Sequence, residues 1–254
     1  MQAADVQGKK ILITGAASGI GAATAALLAE RGASLFLSDI NKDALQQQQE
    51  KLAASGTDVA SLACDVSDAQ SVQRLFASAL EHLGGIDVCI NNAGIDHTPT
   101  PLHLTDDETF ARVMQVNTTG VWLCMKQALQ VMLNAKAGHI INLASVAGLR
   151  SSPMIAAYAA SKHAVMGLTK SAAVEYAKMN IRVNAVCPSF VNTPMVQNVL
   201  SHMDERAANA LVKANPMKRL GNVEEIAYAL AWLCSDESSF MTGQSVVLDG
   251  GMLA

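Results

Sequence analysis

Lys9-Lys10-Ile11-Leu12-Ile13-Thr14-Gly15-Ala16-Ala17-Ser18-Gly19-Ile20-Gly21 opens the ordered pattern of a 254-residue chain. The short apolar run up to Thr14 predicts a buried strand. After the glycines an Ala/Leu-rich stretch from Ala22 to Arg31 predicts a helix, which Gly32 stops. Strand, glycine turn and helix start together form a phosphate cradle. Gly15, Gly19 and Gly21 allow a tight turn and close backbone approach, and the helix N-terminus favours an anion. The spacing is GxxxGxG.

Further strands follow at Ser34–Ser38, Val59–Cys64, Ile86–Ile90, Gly138–Ala144 and Arg182–Cys187, and a last one begins at Val246. Helical stretches alternate with them: Asn41–Ser55, Asp68–Leu83, one long helix over Asp106–Lys136, and another from the Tyr158 region to about Met179. Such alternation predicts an α/β fold with a doubly wound parallel sheet. No linker or low-complexity run divides the chain, so residues 1–254 are expected to form one domain.

Half of the residues are hydrophobic, 16% are charged, and the net charge is −4, which argues against nucleic-acid binding as the main task. No run approaches the ~18 apolar residues of a membrane span, and the first residues lack the pattern of a signal peptide. Five cysteines without a CxxC read as buried hydrophobes in a reducing compartment, the cytoplasm. The six histidines make no HExxH and no cluster, so no metal is expected.

Asp39 ends the second strand, 18 residues beyond Gly21. That is close to the ~20 expected for the acid that receives the hydroxyls of an adenosine ribose. It also suits a helix cap, and the two readings are compatible. A carboxylate here repels a 2′-phosphate, and no Arg or Lys stands in the glycine turn or directly after Asp39, so NAD is preferred over NADP. Asp65-Val66, at the end of the third strand, reads either as an acceptor for an adenine amino group or as a cap. Asn92-Ala93-Gly94 leaves room for a cofactor beside the fourth strand. Asn117 is a polar intruder on an apolar helix stripe, suited either to satisfying a neighbouring backbone group or to holding a water in a proton path.

Ser145 follows the fifth strand. Tyr158 and Lys162, four residues apart, share one helix face. By itself such a pair is an ordinary surface feature. Beside a phosphate cradle it suggests chemistry, because an ammonium next to a phenol moves its usual pKa of ~10 toward working pH.

Thr14–Gly21, Asp65-Val66, Asn91–Gly94, Asn117, Ser145, Tyr158-Ala159-Ala160-Ser161-Lys162 and Pro188–Met195, in this order and spacing, closely resemble the short-chain dehydrogenase/reductase family over nearly the whole chain. The resemblance implies a Rossmann fold with seven parallel strands, a nicotinamide cofactor, alcohol–carbonyl interconversion and a homotetramer. It implies that Ser145 hydrogen-bonds the substrate oxygen and that Tyr158 is the general acid/base. Lys162 would lower the phenol's pKa and bind the nicotinamide ribose, and Asn117 would serve the proton relay. Ser18, Ile20 and Asp39 match pyrophosphate and ribose positions, and Asp65, Val66 and Asn92 match adenosine-side ones. Pro188, Val191 and Thr193 fall in the segment beside the nicotinamide. The family usually has Pro-Gly where this chain has Pro188-Ser189. Ser189 either shapes the pocket and meets the substrate or is a neutral turn substitution.

Substrate choice is expected in Ile95–Leu104, Leu149–Ile155 and a helical segment over about 190–216, read either as a lid or as a core-facing helix. Its methionines and valines favour an uncharged, hydrophobic, secondary or cyclic alcohol or its ketone. The alternatives are reduction of a 3-oxoacyl thioester on a carrier protein, which needs a basic docking patch, and a non-catalytic dinucleotide-binding protein.

Overall fold

The glycine turn follows an inner strand of a sheet whose strand order sets the position of the site. A computed structural model describes residues 4–213 and 215–254. In chain order it begins β1 (Lys10–Thr14), α1 (Gly19–Glu30), β2 (Ser34–Asp39), α2 (Lys42–Ala54), β3 (Val59–Ala63), α3 (Ala69–Leu83) and β4 (Val88–Asn91). Next come α4 (Asp107–Met114), α5 (Val121–Ala135), β5 (Gly138–Leu143), α6 (Ala156–Tyr176) and β6 (Ile181–Pro188). The chain closes with α7 (Pro194–Ser201), α8 (Glu205–Val212), α9 (Val223–Cys234) and β7 (Ser245–Leu248). All strand pairs are parallel, in the order β3-β2-β1-β4-β5-β6-β7. The chain runs from β1 out to β3, then returns to place β4 on the other edge of β1. That reversal opens a crevice at the carboxyl ends of β1 and β4, where sheets of this kind bind ligands.

Side chains alternate across the sheet and fill two cores. Leu12, Phe36, Cys89 and Ile140 pack with Leu75 of α3, Val121 of α5 and Val165 of α6. Ile11, Ile13, Leu35 and Ile141 pack on the opposite face with Leu28, Leu45 and Leu230 of α1, α2 and α9. Each fully buried Leu or Ile contributes about 1.5–3 kcal/mol, which is why both faces of the parallel sheet are covered. No helix among the described residues is long and apolar enough to cross a membrane.

Two expectations are corrected. The single helix over Asp106–Lys136 is α4 and α5 joined by a π segment, Gln115–Gly120. Within it Asn117 turns inward to bond the Ile95 backbone, and Gly120 lies so near Val66 that a Cβ would sit 2.9 Å from its methyl. π turns commonly mark such sites, and periodicity alone does not reveal them. The segment over 190–216 holds two short helices, α7 and α8, neither of which buries a residue, so it is no core-facing helix.

A buried histidine ties β5 to β6 and α9. His139 Nδ1 lies 3.0 Å from the Leu233 carbonyl and must donate to it; Nε2 therefore accepts from Asn184 Nδ2 at 2.9 Å. Burial, with Arg182 nearby, lowers its pKa to about 3. Between pH 6.5 and 3 the unfolded chain binds the proton that the folded one refuses, so this group's contribution to stability rises with pH across that window. On acidification the fold is expected to lose several kcal/mol through His139. Denaturant titrations at pH 7, 5 and 4 should show a slope that is reduced in His139→Gln.

Candidate active site

One cleft of about 360 Å³ runs along the carboxyl ends of the strands. At one part of it lie Gly15, Ser18, Gly19 and Ile20 of the glycine turn and the first turn of α1. Gly15 has a left-handed φ of +65°, and a Cβ there would sit 2.8 Å from Ala93 Cα. Asn92 Nδ2 donates to the carbonyls of Thr14 (3.0 Å) and Gly15 (2.7 Å), while Thr14 Oγ1 accepts from the Asn92 and Ala93 N–H groups, both at 3.2 Å. Together these bonds lock the ends of β1 and β4. Ser18 makes no side-chain cap bond, and the first turn of α1 carries no acid that would compete for an anion.

Beyond the turn the cleft passes Asp39, Asp65 and Val66. Asp39 accepts from Ala17 N and Asn41 N, both at 3.0 Å, which holds its carboxylate at the turn with further lone pairs open. Neither acid caps its helix: Asn41 and Asp68 do that. Asp65 instead accepts from the Ser67 N–H and hydroxyl.

In the other direction the cleft passes Asn92, Ala93 and Gly94, then Ser145, Tyr158 and Lys162, with Pro188, Ser189, Val191 and Thr193 on the facing wall. The Ser145 hydroxyl accepts from Ala147 N at 3.1 Å and donates to Pro188 O at 3.4 Å. Lys162 is buried, its Nζ donating to Leu143 O at 2.8 Å and lying 5.5 Å from the centre of the Tyr158 ring. Burial lowers Lys162 to about 8, so near neutral pH its charge is close to its titration.

Tyr158 departs from expectation. Burial of its hydroxyl pushes the phenol up to about 12; the neighbouring Ser145 hydroxyl opposes this, and Asp96 and Cys187 add to it. Desolvation disfavours the phenolate, in the direction opposite to the pull of a neighbouring cation.

Two predicted residues stand behind the cleft. Gly21 is buried under the turn, where a Cβ would strike the Gly15 carbonyl oxygen. Asn117 accepts from Ile95 N and donates to Ile95 O, both at 2.8 Å, and to Ser161 Oγ at 3.1 Å.

Residues 15–253 match the sequence model of a family described as enoyl-(acyl carrier protein) reductase. The chain is 41% identical to the 2,5-dichloro-2,5-cyclohexadiene-1,4-diol dehydrogenase of Sphingobium indicum, over 98% of its own length and 99% of the relative's. Its structure superposes on that of levodione reductase with a TM-score of 0.93 at 37% identity, covering 96% of this chain and 97% of the other. It superposes on NAD+-bound xylitol dehydrogenase with a TM-score of 0.92 at 35% identity, covering 96% and 99%. The chain belongs to the short-chain dehydrogenase/reductase family.

As a short-chain dehydrogenase/reductase it is an oxidoreductase that uses a nicotinamide dinucleotide, and the cleft fits one. The turn leaves no space for a Cβ at Gly15, and Ser38 Oγ, buried at the Asp39 end of the cleft, has no hydrogen-bond partner. Gly15, Ser18, Gly19 and Ile20 would hold the diphosphate, and Asp39, Asp65 and Val66 the adenosine. When bound, the nicotinamide ring supplies a hydride acceptor or donor. Ser145 and Tyr158 present two hydroxyls to the same cleft, where an alcohol or carbonyl oxygen could be oriented and its proton moved.

The sequence reading missed Arg112 and Val116, which line the cleft from the α4 side. Their i, i+4 spacing, with Val116 next to Asn117, was the available signal. It also left open Ser189. This residue lines the cleft, is not among the positive-φ positions, and has its N–H bonded to Leu248 O at 3.1 Å, so the turn accepts a side chain without strain.

Proposed function

We propose that this enzyme prefers NAD and interconverts a cyclic secondary alcohol and its ketone, with Tyr158 as the acid/base. Supporting it, Ser145, Tyr158 and Lys162 open onto the same cleft as the glycine turn and Asp39. Ser145 orients the substrate oxygen, Lys162 holds the nicotinamide ribose, and Asn117 serves the proton path by holding Ile95. Pro188, Val191 and Thr193 face the nicotinamide end, and Ser189 offers its hydroxyl to the substrate. The relatives' names point to ring substrates, a cyclohexadiene diol and levodione.

The whole chain acts as one unit, and residues 190–216 as a lid: Met195 and Val196 of α7 reach the cleft from a helix that buries nothing. We assign the enzyme to the cytoplasm, in keeping with its five unpaired cysteines. We also infer a homotetramer, in keeping with exposed Trp122 and Val174 on α5 and α6 and with exposed Phe240.

Kinetics with cyclohexanol, cyclohexanone and a 3-oxoacyl thioester, each with NAD and NADP coenzymes, test this reading. The expected kcat/KM favours NAD by about tenfold or more, since a 2′-phosphate would meet the Asp39 carboxylate. Asp39→Ser should narrow that ratio. Equal or better use of NADP by the parent enzyme would overturn the role of Asp39. The thioester reading calls for a basic docking patch, and Lys162 and Arg112 are the cleft's only lining cations among the described residues.

A further inference from the structure

Ser161 lies between Tyr158 and Lys162 on α6, fully buried and not among the residues that line the cleft. A buried hydroxyl is unfavourable unless it is hydrogen-bonded. Here both its donor and its acceptor capacity are used: it accepts from Asn117 Nδ2 at 3.1 Å and donates to the Tyr158 carbonyl at 2.7 Å. The other amide hydrogen of Asn117 goes to Ile95 O, and its oxygen accepts from Ile95 N, both at 2.8 Å. An unbroken chain of bonds therefore runs from Ile95, through two buried side chains, to the backbone of Tyr158. Thr118 adds a second tie from the π segment, its hydroxyl donating to Ser161 O at 3.4 Å.

Tyr158 stands in the first turn of α6, and the residue before that helix, Ile155, makes no side-chain cap bond. The first turn of a helix is the one its own hydrogen bonds hold least. The Asn117–Ser161 bond anchors it from outside. The same junction borders the lysine: a Cβ on Gly94 would lie 3.2 Å from Asn117 Oδ1 and 3.5 Å from Lys162 Nζ.

We propose that Ser161 is a positioning residue that, through Asn117, fixes the first turn of α6 against the Gly94-Ile95 corner and so sets where the Tyr158 hydroxyl stands in the cleft. It acts through Tyr158 and touches neither substrate nor cofactor. In Ser161→Ala one amide hydrogen of Asn117 is left buried without an acceptor, the tie to Tyr158 is cut, and the phenol is held less closely. A misplacement of about 1 Å is enough to slow a positioned reaction by up to about 10²-fold. This rests on the reading that Tyr158 is the acid/base.

Ser161→Ala is expected to lower kcat for cyclohexanol oxidation about tenfold while KM and the NAD dissociation constant stay within about twofold. Ser161→Thr, which keeps a hydroxyl at the same position, should recover most of the loss; Ser161→Cys, with a weaker donor and acceptor, should fall between them and carries the comparison if the alanine variant does not fold. Single-turnover rates in a Tyr158→Phe background make the deciding comparison. There, adding Ser161→Ala should change the residual rate by less than about twofold, because the phenol it positions is gone. A purely structural role would cost the same factor in both backgrounds. Equal losses in the two backgrounds, or a kcat in Ser161→Ala within about twofold of the parent, overturn the assignment while leaving Tyr158 as the acid/base. Near-normal turnover in Tyr158→Phe alone would instead refute the acid/base reading on which the assignment rests.

Discussion

Tyr158→Phe is expected to bind NAD within about twofold of the parent affinity while its turnover falls by about 10²- to 10⁴-fold, the range of acid/base assistance. The substitution removes one hydroxyl and keeps the ring, so the cleft keeps its shape. Lys162 keeps its bond to the Leu143 carbonyl, and Ser145 keeps its bonds to Ala147 and Pro188. What disappears is the hydroxyl proposed to take the alcohol's proton. Burial pushes the parent phenol up to about 12, and the positive charge of an oxidised nicotinamide ring, when bound, would oppose that shift. Equilibrium binding of NAD followed by fluorescence, beside steady-state rates, separates the two effects. Near-normal turnover would remove Tyr158 from the chemistry, and lost NAD affinity would make it part of the cofactor seat.

Gly21→Val acts at the opposite end and should do the reverse, removing the cofactor before any chemistry begins. A Cβ at Gly21 strikes the Gly15 carbonyl oxygen and would lie 2.6 Å from Asn92 Nδ2. Those two atoms are themselves hydrogen-bonded at 2.7 Å, so the new methyls drive a wedge into the joint between β1 and β4. Overpacking of this sort costs about 1–3 kcal/mol, and the turn relieves it by opening. NAD affinity should fall by about 10- to 100-fold, and NAD should no longer raise the melting temperature appreciably. Gly167→Ala is the matched control: Gly167 is exposed on α6 with nothing within 4 Å of an added Cβ, so NAD affinity should hold. Undiminished NAD affinity in Gly21→Val would contradict the seating of the diphosphate at this turn.

Much of this was legible in the chain because the signals are local. Ile11–Thr14 is an apolar run closed by glycine, and Gly15, Gly19 and Gly21 punctuate the join between strand and helix. Ser145, Tyr158 and Lys162 are set by a strand end and an i, i+4 spacing, and the fold brings all three to one cleft. What stayed hidden depends on contacts distant in sequence. The π segment around Asn117 answers to Ile95, 22 residues away. Two of the segments expected to choose substrate are joined, Thr100 N donating to Met154 O at 2.6 Å, with Met154 in a left-handed conformation at φ 70°. Spacing reveals the lysine beside the phenol but not the burial of the hydroxyl, which pushes the phenol the other way.

Single-turnover mixing of the enzyme with NAD and cyclohexanol deuterated at the carbinol carbon, with the reduced cofactor then weighed by mass spectrometry, tests the central claim most directly. The predicted result is one deuterium carried into the reduced cofactor, at a rate that rises with pH in the parent and collapses in Tyr158→Phe. Reduced cofactor bearing only solvent hydrogen, or deuterium transfer as fast without the Tyr158 hydroxyl, would contradict it.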